Sequence, residues 1–466
     1  MFDLAIIGNG SISYFCAYYI AKSFPRLKIA LFSQKPRESS ATEAAGAMHA
    51  VFGEVEGDIT SSIHERKCYE LGLNSRSHWN MFITENNLKR IVTAENTCLY
   101  LQKRSSNLEN RNYKFASEAA KAASCFRELT NFEIESFFSE ATNKPERACE
   151  LIGEFSFSAP LFLESIESIL YNLSNITFFS KCEKVVEKST NRFDVFIPNG
   201  DVIKTTKIIC AAGYKSKRIL DNIDFQDIFQ GVGTALELSN INTAQFNKNS
   251  VRSVSRGGSQ CGIHLVPRSD SVYLGAGSYA ANIDTLPLAR TETIRYLIDQ
   301  SKKDFFGKLN IYNSFISKTY IGSRPRSIDS YPLIGPIKKH PSIFIATGTN
   351  RLGLTWAPSI AQYALSWMGY KSKNTMFDYE SFFYEWRPDR EFIPFGTNEE
   401  CLNYYVETRS TNEFEHDLIK NPLNKESQKR IRDYGQELLT CANKKLNIKN
   451  GYSVHPDSWS IICHDG

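Results

Sequence analysis

Two glycines near the N-terminus have the spacing that a phosphate-binding turn requires. Gly8-Asn9-Gly10-Ser11-Ile12-Ser13 separates an apolar run, Phe2 to Ile7, from a mostly apolar stretch of helical length, Tyr14 to Ser23. Gly8 permits a tight turn, and Gly10 lets the backbone approach a pyrophosphate. The anion would then lie at the N-terminus of the helix, where free N–H groups and the helix dipole favour negative charge.

A second apolar run, Leu27 to Phe32, follows the predicted helix. Strand, glycine turn, helix and strand within about thirty residues are typical of a dinucleotide-binding unit with parallel strands. Two residues depart from the pattern: Ser13 replaces the third glycine, and Ser33 stands where an acidic residue would hold ribose hydroxyls. The alternative is a βαβ unit whose glycines serve only the turn.

Small residues recur in three later segments. Ser39 to Phe52 is rich in small residues around Gly46, and the buried run Lys207 to Tyr214 ends in Ala-Ala-Gly. The glycines of Thr347 to Pro358 precede a helix predicted from Ser359 to Met368. Small residues let a backbone lie against a planar ring or a phosphate, so all three segments are predicted to contact a cofactor.

The region after the first unit lacks this glycine chemistry. Apolar spacing predicts a helix from Asp58 to Phe82 that is broken near Gly72, and strands from Ile91 to Gln102. Ser105 to Arg111 reads as a turn and Ser117 to Phe138 as a helix. Further along, Asn199-Gly200 between two alternating runs predicts a hairpin, and the strands that follow favour an antiparallel substrate-binding sheet.

Composition is that of an ordinary globular protein. The 466 residues are 42% hydrophobic and 23% charged, and the net charge of +4 is too balanced to indicate nucleic acid. No apolar run reaches the roughly twenty residues that span a bilayer. Eleven cysteines without a C-x-x-C pair favour reduced thiols, so we expect a cytoplasmic protein. The spacing of His455, Cys463 and His464 fits no ligand pattern, and no metal is predicted.

With these segments in order, the chain resembles the D-amino-acid oxidase family of flavoproteins, most closely its glycine oxidase and sarcosine oxidase branch. The resemblance covers about Met1 to Met368. It rests on the following stretches, in family order: G-N-G-S-I-S, A-T-E-A-A-G-A-M, I-I-C-A-A-G-Y, H-L-V-P-R, V-Y-L-G-A-G, S-R-P-R-S-I-D-S-Y-P-L-I-G-P and A-T-G-T-N-R-L-G-L-T-W-A-P.

The resemblance implies FAD as the cofactor. Sarcosine oxidases tether their flavin to a cysteine, but Gly322-Ser323-Arg324 stands at that place, so we expect noncovalent FAD. The predicted cofactor-binding residues are Gly8, Gly10, Ser11, Ser13, Ser33, Ala45, Gly46, Ala47, Met48, Val185, Ala211, Ala212, Gly213, Gly348, Arg351, Gly353, Leu354 and Thr355.

The resemblance also assigns three residues to the substrate. Arg324 matches the arginine that binds the substrate carboxylate, a role that suits the planar, bidentate guanidinium; the alternative is a surface ion pair. Arg351 matches a less uniform position near the substrate carboxylate or the flavin. His264 stands where related proteins place a pocket tyrosine, and it is either a pocket residue or a satisfied core histidine.

The function implied is oxidation of the C–N bond of an amino acid or a carboxylate-bearing secondary amine. Hydride passes to flavin N5, the resulting imine hydrolyses to an oxo acid, and O₂ or another acceptor reoxidises the flavin. The alternatives are oxidation or demethylation of a larger biosynthetic intermediate, a tRNA-modifying oxidoreductase, and a non-catalytic flavin-binding subunit.

The predicted fold is α/β. A Rossmann-type FAD-binding domain (residues 1–82, 151–224 and 320–370) is interleaved with an antiparallel-sheet substrate domain (83–150 and 225–319). Residues 371–466 extend past the family's usual end, and we expect a mainly helical layer there, with an amphipathic helix from Lys425 to Leu446. This extension is also a candidate interface for a homo-oligomer or a protein partner.

Overall fold

The computed structural model describes residues 1–103, 105–255, 262–370, 377–415, 418, 421, 424–448 and 451–463. Its strands are β1 (Leu4–Ile7), β2 (Ile29–Phe32), β3 (Val92–Ala94), β4 (Asn96–Gln102), β5 (Phe126–Glu128), β6 (Pro145–Leu151), β7 (Ser156–Phe157), β8 (Ile176–Phe179), β9 (Lys184–Ser189), β10 (Arg192–Phe196), β11 (Val202–Thr205), β12 (Ile208–Cys210), β13 (Ile228–Ser239), β14 (Asn249–Ser253), β15 (His264–Pro267), β16 (Ser271–Ala281), β17 (Phe315–Ser327), β18 (Leu333–Ile337), β19 (His340–Thr347), β20 (Gly396–Thr397) and β21 (Tyr452–Ser453). Its helices are α1 (Ser11–Ser23), α2 (Ile63–Glu85), α3 (Asn107–Ala122), α4 (Asn131–Phe137), α5 (Ala159–Tyr171), α6 (Ser216–Ile219), α7 (Thr291–Leu309), α8 (Gly353–Trp367), α9 (Tyr379–Phe383), α10 (Asn398–Glu415), α11 (Lys425–Lys445) and α12 (Trp459–Cys463).

A six-stranded sheet contains the predicted dinucleotide-binding unit. Its strand order is β18-β19-β12-β1-β2-β8, and all neighbours are parallel except the edge pair β18 and β19. Every residue of β1 and β2 is buried, because α1, α5 and α8 pack on one face while β9, β10 and α6 pack on the other. The predicted α/β fold is confirmed.

The second sheet has eight strands in the order β17-β13-β16-β15-β14-β4-β6-β5, antiparallel except for β14 and β4. Strands from both predicted substrate segments therefore share one sheet. The boundary predicted at residue 320 falls inside β17, which pairs with β13 from Phe315 to Ser327. The strand that carries Arg324 thus belongs to the eight-stranded sheet.

Several local predictions hold, and others need correction. The hairpin at Asn199-Gly200 is confirmed, with Phe196 opposite Val202. The predicted break at Gly72 is wrong: α2 runs through it, since the glycine lets the helix pack against Val51, whose Cγ1 would lie 3.1 Å from an added Cβ.

The turn predicted at 105–111 is wrong as well. A capping box formed by Ser106 and Glu109 starts α3 at Asn107. The helix predicted from Ser117 to Phe138 is in fact the end of α3, then β5 and α4.

The C-terminal extension is mainly helical in its described part, and its helix α11 matches the prediction. Trp459 anchors it in an apolar cluster shared with Phe229 and Ile328 of the eight-stranded sheet's margin. A buried, bidentate ion pair adds a second anchor, with Arg390 donating to both Asp329 oxygens at 2.7 and 3.0 Å. The extension is therefore packed directly on the segment that follows β17.

The described residues contain neither a helix suited to span a bilayer nor a cluster suited to hold a metal ion. None of the helices combines the length and apolar character that a bilayer span needs. No group of three or more His, Cys, Asp or Glu side chains in these ranges is placed to hold a metal ion. His464, considered above as a ligand, lies outside the described residues.

We expect Trp459→Ala to destabilise the protein by about 3–5 kcal/mol, as is usual for a fully buried aromatic side chain. The Trp459 side chain is 0% exposed, stacks on Tyr405, and donates from Nε1 to Ser453 Oγ at 3.2 Å. Chemical denaturation would measure the loss. Phe132→Ala, at a side chain 83% exposed, is the control and should change stability by less than about 0.5 kcal/mol.

Candidate active site

One cavity of about 630 Å³ lies where the carboxyl ends of β1, β12 and β19 face the eight-stranded sheet. This is the position at which open parallel sheets bind ligands, and the volume is in the range of cofactor and substrate sites. The predicted residues that line it are Gly8, Gly10, Ser11, Ala45, Gly46, Ala47, Met48, Ala211, Ala212, Gly213, His264, Arg324, Arg351, Gly353 and Leu354.

The first glycine turn is shaped by a close backbone approach. Gly8 has φ +134°, and a Cβ there would lie 2.4 Å from the carbonyl oxygen of Ala211. Gly10 is the N-cap of α1, has no side chain to occupy the helix end, and the first turn contains no acidic residue. The Ser11 N–H donates to Thr42 Oγ1 at 3.2 Å, and the next amides of this helix end, those of Ile12 and Ser13, remain for an anion such as a pyrophosphate, so the residues present fit a dinucleotide.

The second helix at the cavity begins earlier than predicted. α8 starts at Gly353 rather than Ser359, and Pro358 lies inside its first two turns. Gly353 and Leu354 therefore line the cavity from the first helical turn. Pro358 cannot donate to the carbonyl of Leu354 four residues earlier, and that carbonyl instead accepts from the Trp79 indole at 3.2 Å.

Two predicted cofactor residues of the first unit lie outside the cavity lining. The Ser13 hydroxyl donates to the carbonyl of Gly10 at 2.9 Å and so closes the first turn of α1 from behind. Ser33 Oγ lies 3.0 Å from the hydroxyl of Tyr14. Both serines stabilise the turn and the strand end instead of facing the cavity.

Three further predicted residues also lie outside the lining. Val185 is buried in the core between the six-stranded sheet and β9. Gly348 has φ +70° and packs against Leu333. Thr355 is a buried residue in the first turn of α8, and its carbonyl accepts a hydrogen bond from the indole of Trp79 at 3.2 Å.

The cavity has an acidic wall residue that the sequence pattern missed. Glu38, six residues beyond β2, lines the cavity, whereas Ser33 at the expected place does not. Next to it, Arg37 is held by Glu167, to which its Nη2 donates at 2.8 Å. The sequence does contain an acidic residue soon after the second strand, but it lies several residues beyond the strand end at which the pattern expects it.

Arg324 lies at the other end of the cavity, on β17. Its guanidinium extends over Gly233, where an added Cβ would lie 2.7 Å from Nη2. The side chain is half-buried, and within the described ranges it has neither an ion-pair nor a hydrogen-bond partner. A half-buried cation without a counter-charge is a binding group for an anionic ligand.

Arg351 differs from Arg324 because it is already paired. Its Nε lies 2.9 Å from Glu54 Oε2, and its Nη2 lies 2.5 Å from Glu56 Oε1. Glu54 also pairs at 2.9 Å with the fully buried Arg252. Burial alone would raise the pKa of Glu54, but the two arginines outweigh it and lower the pKa. Arg351 lines the cavity as part of a network in which its charge is already compensated, and its predicted contact with the substrate carboxylate or the flavin stays a prediction.

His264 lies in β15 and forms the floor of the cavity with Tyr273. The two rings are stacked with centroids 5.7 Å apart, and His264 Nδ1 is buried without a hydrogen-bond partner. Burial, reinforced by Arg252 and Arg324, lowers the pKa of His264 to about 3, so the ring is neutral at pH 7. Tyr273 was missed as a site residue, although it stands in the V-Y-L-G-A-G stretch.

The fold and the cavity define a Rossmann-type dinucleotide-binding oxidoreductase. The chain belongs to the DAO family of FAD-dependent oxidoreductases, whose family model matches residues 3–367. Its cofactor is FAD.

Solved structures share the fold at low sequence identity. Glycine oxidase from Geobacillus kaustophilus superposes with a TM-score of 0.69 at 17% identity, over 84% of this chain and 99% of that one. Iminodiacetate oxidase from Chelativorans sp. BNC1 superposes with a TM-score of 0.67 at 16% identity, over 83% of this chain and 99% of that one. L-α-glycerophosphate oxidase from Mycoplasma pneumoniae, with FAD bound, superposes with a TM-score of 0.65 at 15% identity, over 84% of this chain and 99% of that one. No curated protein sequence matches the chain.

We expect Gly8→Ala to weaken FAD binding at least about tenfold. The new Cβ meets a backbone oxygen and demands a strained positive φ, which together cost about 1–3 kcal/mol and displace the turn. Quenching of FAD fluorescence during reconstitution would give the Kd. Gly200→Ala is the matched control, since Gly200 also has a positive φ but no neighbour within 4 Å. Wild-type affinity in Gly8→Ala would contradict the assignment of this turn.

Proposed function

We propose that the protein oxidises the C–N bond of an amino acid or of a secondary amine that carries a carboxylate. The observation that supports this most directly is Arg324, a half-buried guanidinium without a counter-charge at the wall of the cavity. A carboxylate of the substrate supplies the missing charge, and the planar fork orients it bidentately.

The neighbouring charges favour the same choice. Glu54 and Glu56 already compensate Arg351, and Glu54 also compensates Arg252. His264 carries no charge at neutral pH, because burial lowers its pKa to about 3. Among these guanidiniums, Arg324 therefore offers a substrate carboxylate the strongest electrostatic attraction. The substrate would be held at its carboxylate end.

Small residues let loop 39–52 pack closely on the eight-stranded sheet that carries Arg324. An added Cβ at Gly46 would lie 2.9 Å from the Tyr273 ring and 3.1 Å from His264 Nε2, and one at Gly322 would lie 2.7 Å from Ala44 Cβ. These contacts show that loop 39–52 lies directly on the eight-stranded sheet. The same loop lines the cavity with Ala45 and Met48, so it is the proposed wall for the flavin ring.

FAD, when bound, supplies an acceptor for the hydride that leaves the substrate carbon. The chain's own contribution is positional: Arg324 fixes the carboxylate and thereby the carbon next to it. Oxidation of the C–N bond gives an imine, which water hydrolyses to an oxo acid and an amine or ammonia. We propose that FAD is held noncovalently, and that O₂ or another acceptor reoxidises it.

The test is anaerobic addition of amino acids and N-methylated amino acids to the purified holoenzyme, followed in the visible spectrum. We expect one or more of them to bleach the oxidised flavin. A flavin that none of these compounds bleaches would contradict the proposal and favour the larger biosynthetic intermediates.

For the compound that bleaches the flavin, we expect Arg324→Ala to raise KM at least about 100-fold. The variant loses two hydrogen bonds to a charged partner at roughly 1.5–3 kcal/mol each. Flavin content should stay unchanged. Arg295→Ala, at an exposed arginine of α7 paired with Glu292 and Asp299, is the matched control and should leave KM unchanged. Wild-type KM in Arg324→Ala would rule out the carboxylate assignment.

A further inference from the structure

The C-terminal extension reaches the strand that carries Arg324. The family model ends at residue 367, yet Asp457 of the extension accepts a hydrogen bond from Arg326 Nη2 at 2.9 Å. Both side chains are largely removed from solvent, at 2% and 13% exposure. Breaking an ion pair that is buried to this extent is costly, because removing one partner leaves the other charge uncompensated.

Arg324 and Arg326 lie on the same face of β17, since side chains two residues apart on a strand point the same way. Their contacts agree with this. A Cβ added at Gly231, in the neighbouring strand β13, would lie 3.7 Å from Arg324 Cβ and 3.4 Å from Arg326 Cδ. The Arg324 guanidinium lies over Gly233 and that of Arg326 lies near the Phe229 ring, so both side chains run along the same face of β13, and the glycines of β13 provide the space for both.

The two arginines differ in their partners. Arg326 donates to Asp457 and, at 3.2 Å, to Ser330 Oγ, and its guanidinium lies 5.2 Å from the ring of Phe229. These contacts keep Arg326 outside the cavity lining, whereas Arg324 faces the cavity. The compensating charge on Arg326 comes from the extension.

Asp457 is itself held firmly. Its backbone N–H donates to His455 Nδ1 at 3.2 Å, in a short 3₁₀ turn that leads into Trp459. The His455 ring packs edge-on against Phe395, with centroids 4.5 Å apart. The carboxylate therefore stands on a packed element of the extension.

We propose that Asp457 is a positioning residue for substrate binding: it holds Arg326 away from the cavity and leaves Arg324 as the guanidinium that meets the substrate carboxylate. This inference rests on the proposed function. Without Asp457, Arg326 is a buried, uncompensated cation beside Arg324. It then competes for the substrate carboxylate or displaces β17, and both disturb the bidentate contact.

The test measures binding of anthranilate to the holoenzyme through the visible spectrum of the flavin. Anthranilate carries an amine and a carboxylate but has no hydrogen on its amine-bearing carbon, so it reports binding without turnover. We expect Asp457→Asn to raise the Kd at least about tenfold while the flavin content stays that of the wild type.

A double variant separates charge from simple structural support. Adding Arg326→Met to Asp457→Asn removes both charges, so the Kd should return to within about threefold of the wild type. Asp433→Asn, at an exposed acid of α11, is the control and should bind as the wild type does. If Asp457→Asn yields no folded holoenzyme, the double variant decides by the same threefold limit.

Each remaining result counts against the inference. A wild-type Kd in Asp457→Asn overturns it, and so does a double variant that binds at least about tenfold more weakly than the wild type. If anthranilate changes the flavin spectrum of neither the wild type nor Arg324→Ala, the carboxylate site fails and this inference fails with it. If Arg324→Ala loses anthranilate binding while Asp457→Asn binds as the wild type does, the carboxylate site stands and only the inference about Asp457 fails.

Discussion

A charge removed from water needs a compensating charge, and this constraint organises the substrate end of the cavity. Four arginines lie at this end or next to it, one on β14, two on β17 and one just before α8. Arg252 and Arg351 share Glu54, Arg351 also pairs with Glu56, and Arg326 pairs with Asp457. Arg324 lacks such a partner among the described residues, and this is why we propose it as the group that binds the substrate carboxylate.

The two sheets contribute different parts of the site. The six-stranded sheet brings the glycine turn and the starts of α1 and α8 to one cavity wall, where helix amides suit an anion. The eight-stranded sheet brings Arg324, His264 and Tyr273 to the opposite wall. FAD, whose pyrophosphate suits the first wall, would therefore leave Arg324 on the second wall for the carboxylate of the proposed substrate.

The extension joins this arrangement through charge as well as packing. Arg390 and Asp329 tie it to the segment after β17, and Trp459 fills an apolar cluster beside the same strand. Asp457 then places a carboxylate behind Arg326. The family model ends at residue 367, so the extension adds a layer beyond the part of the chain that defines the family.

Much of the fold was readable from local pattern, because buried parallel strands and glycine turns leave signals within a few residues. Where those signals failed, either a packing contact or a helix cap had decided. Gly72 packs against Val51 without breaking α2, and α8 begins at Gly353 despite the proline that follows. Because Ser106 caps α3, this helix begins more than a full turn before its predicted start at Ser117.

The sequence by itself determined the class of the protein and the cofactor, and it predicted Gly8 and Arg324, which both line the cavity. Only the tertiary structure decided which arginine is free, since pairing of Arg351 with Glu54 depends on loops about three hundred residues apart. It also decided that Glu38 lines the cavity while Ser33 does not. Residue types specify what a side chain can bind, but burial and nearby charges, which depend on the whole fold, specify what it has left to bind.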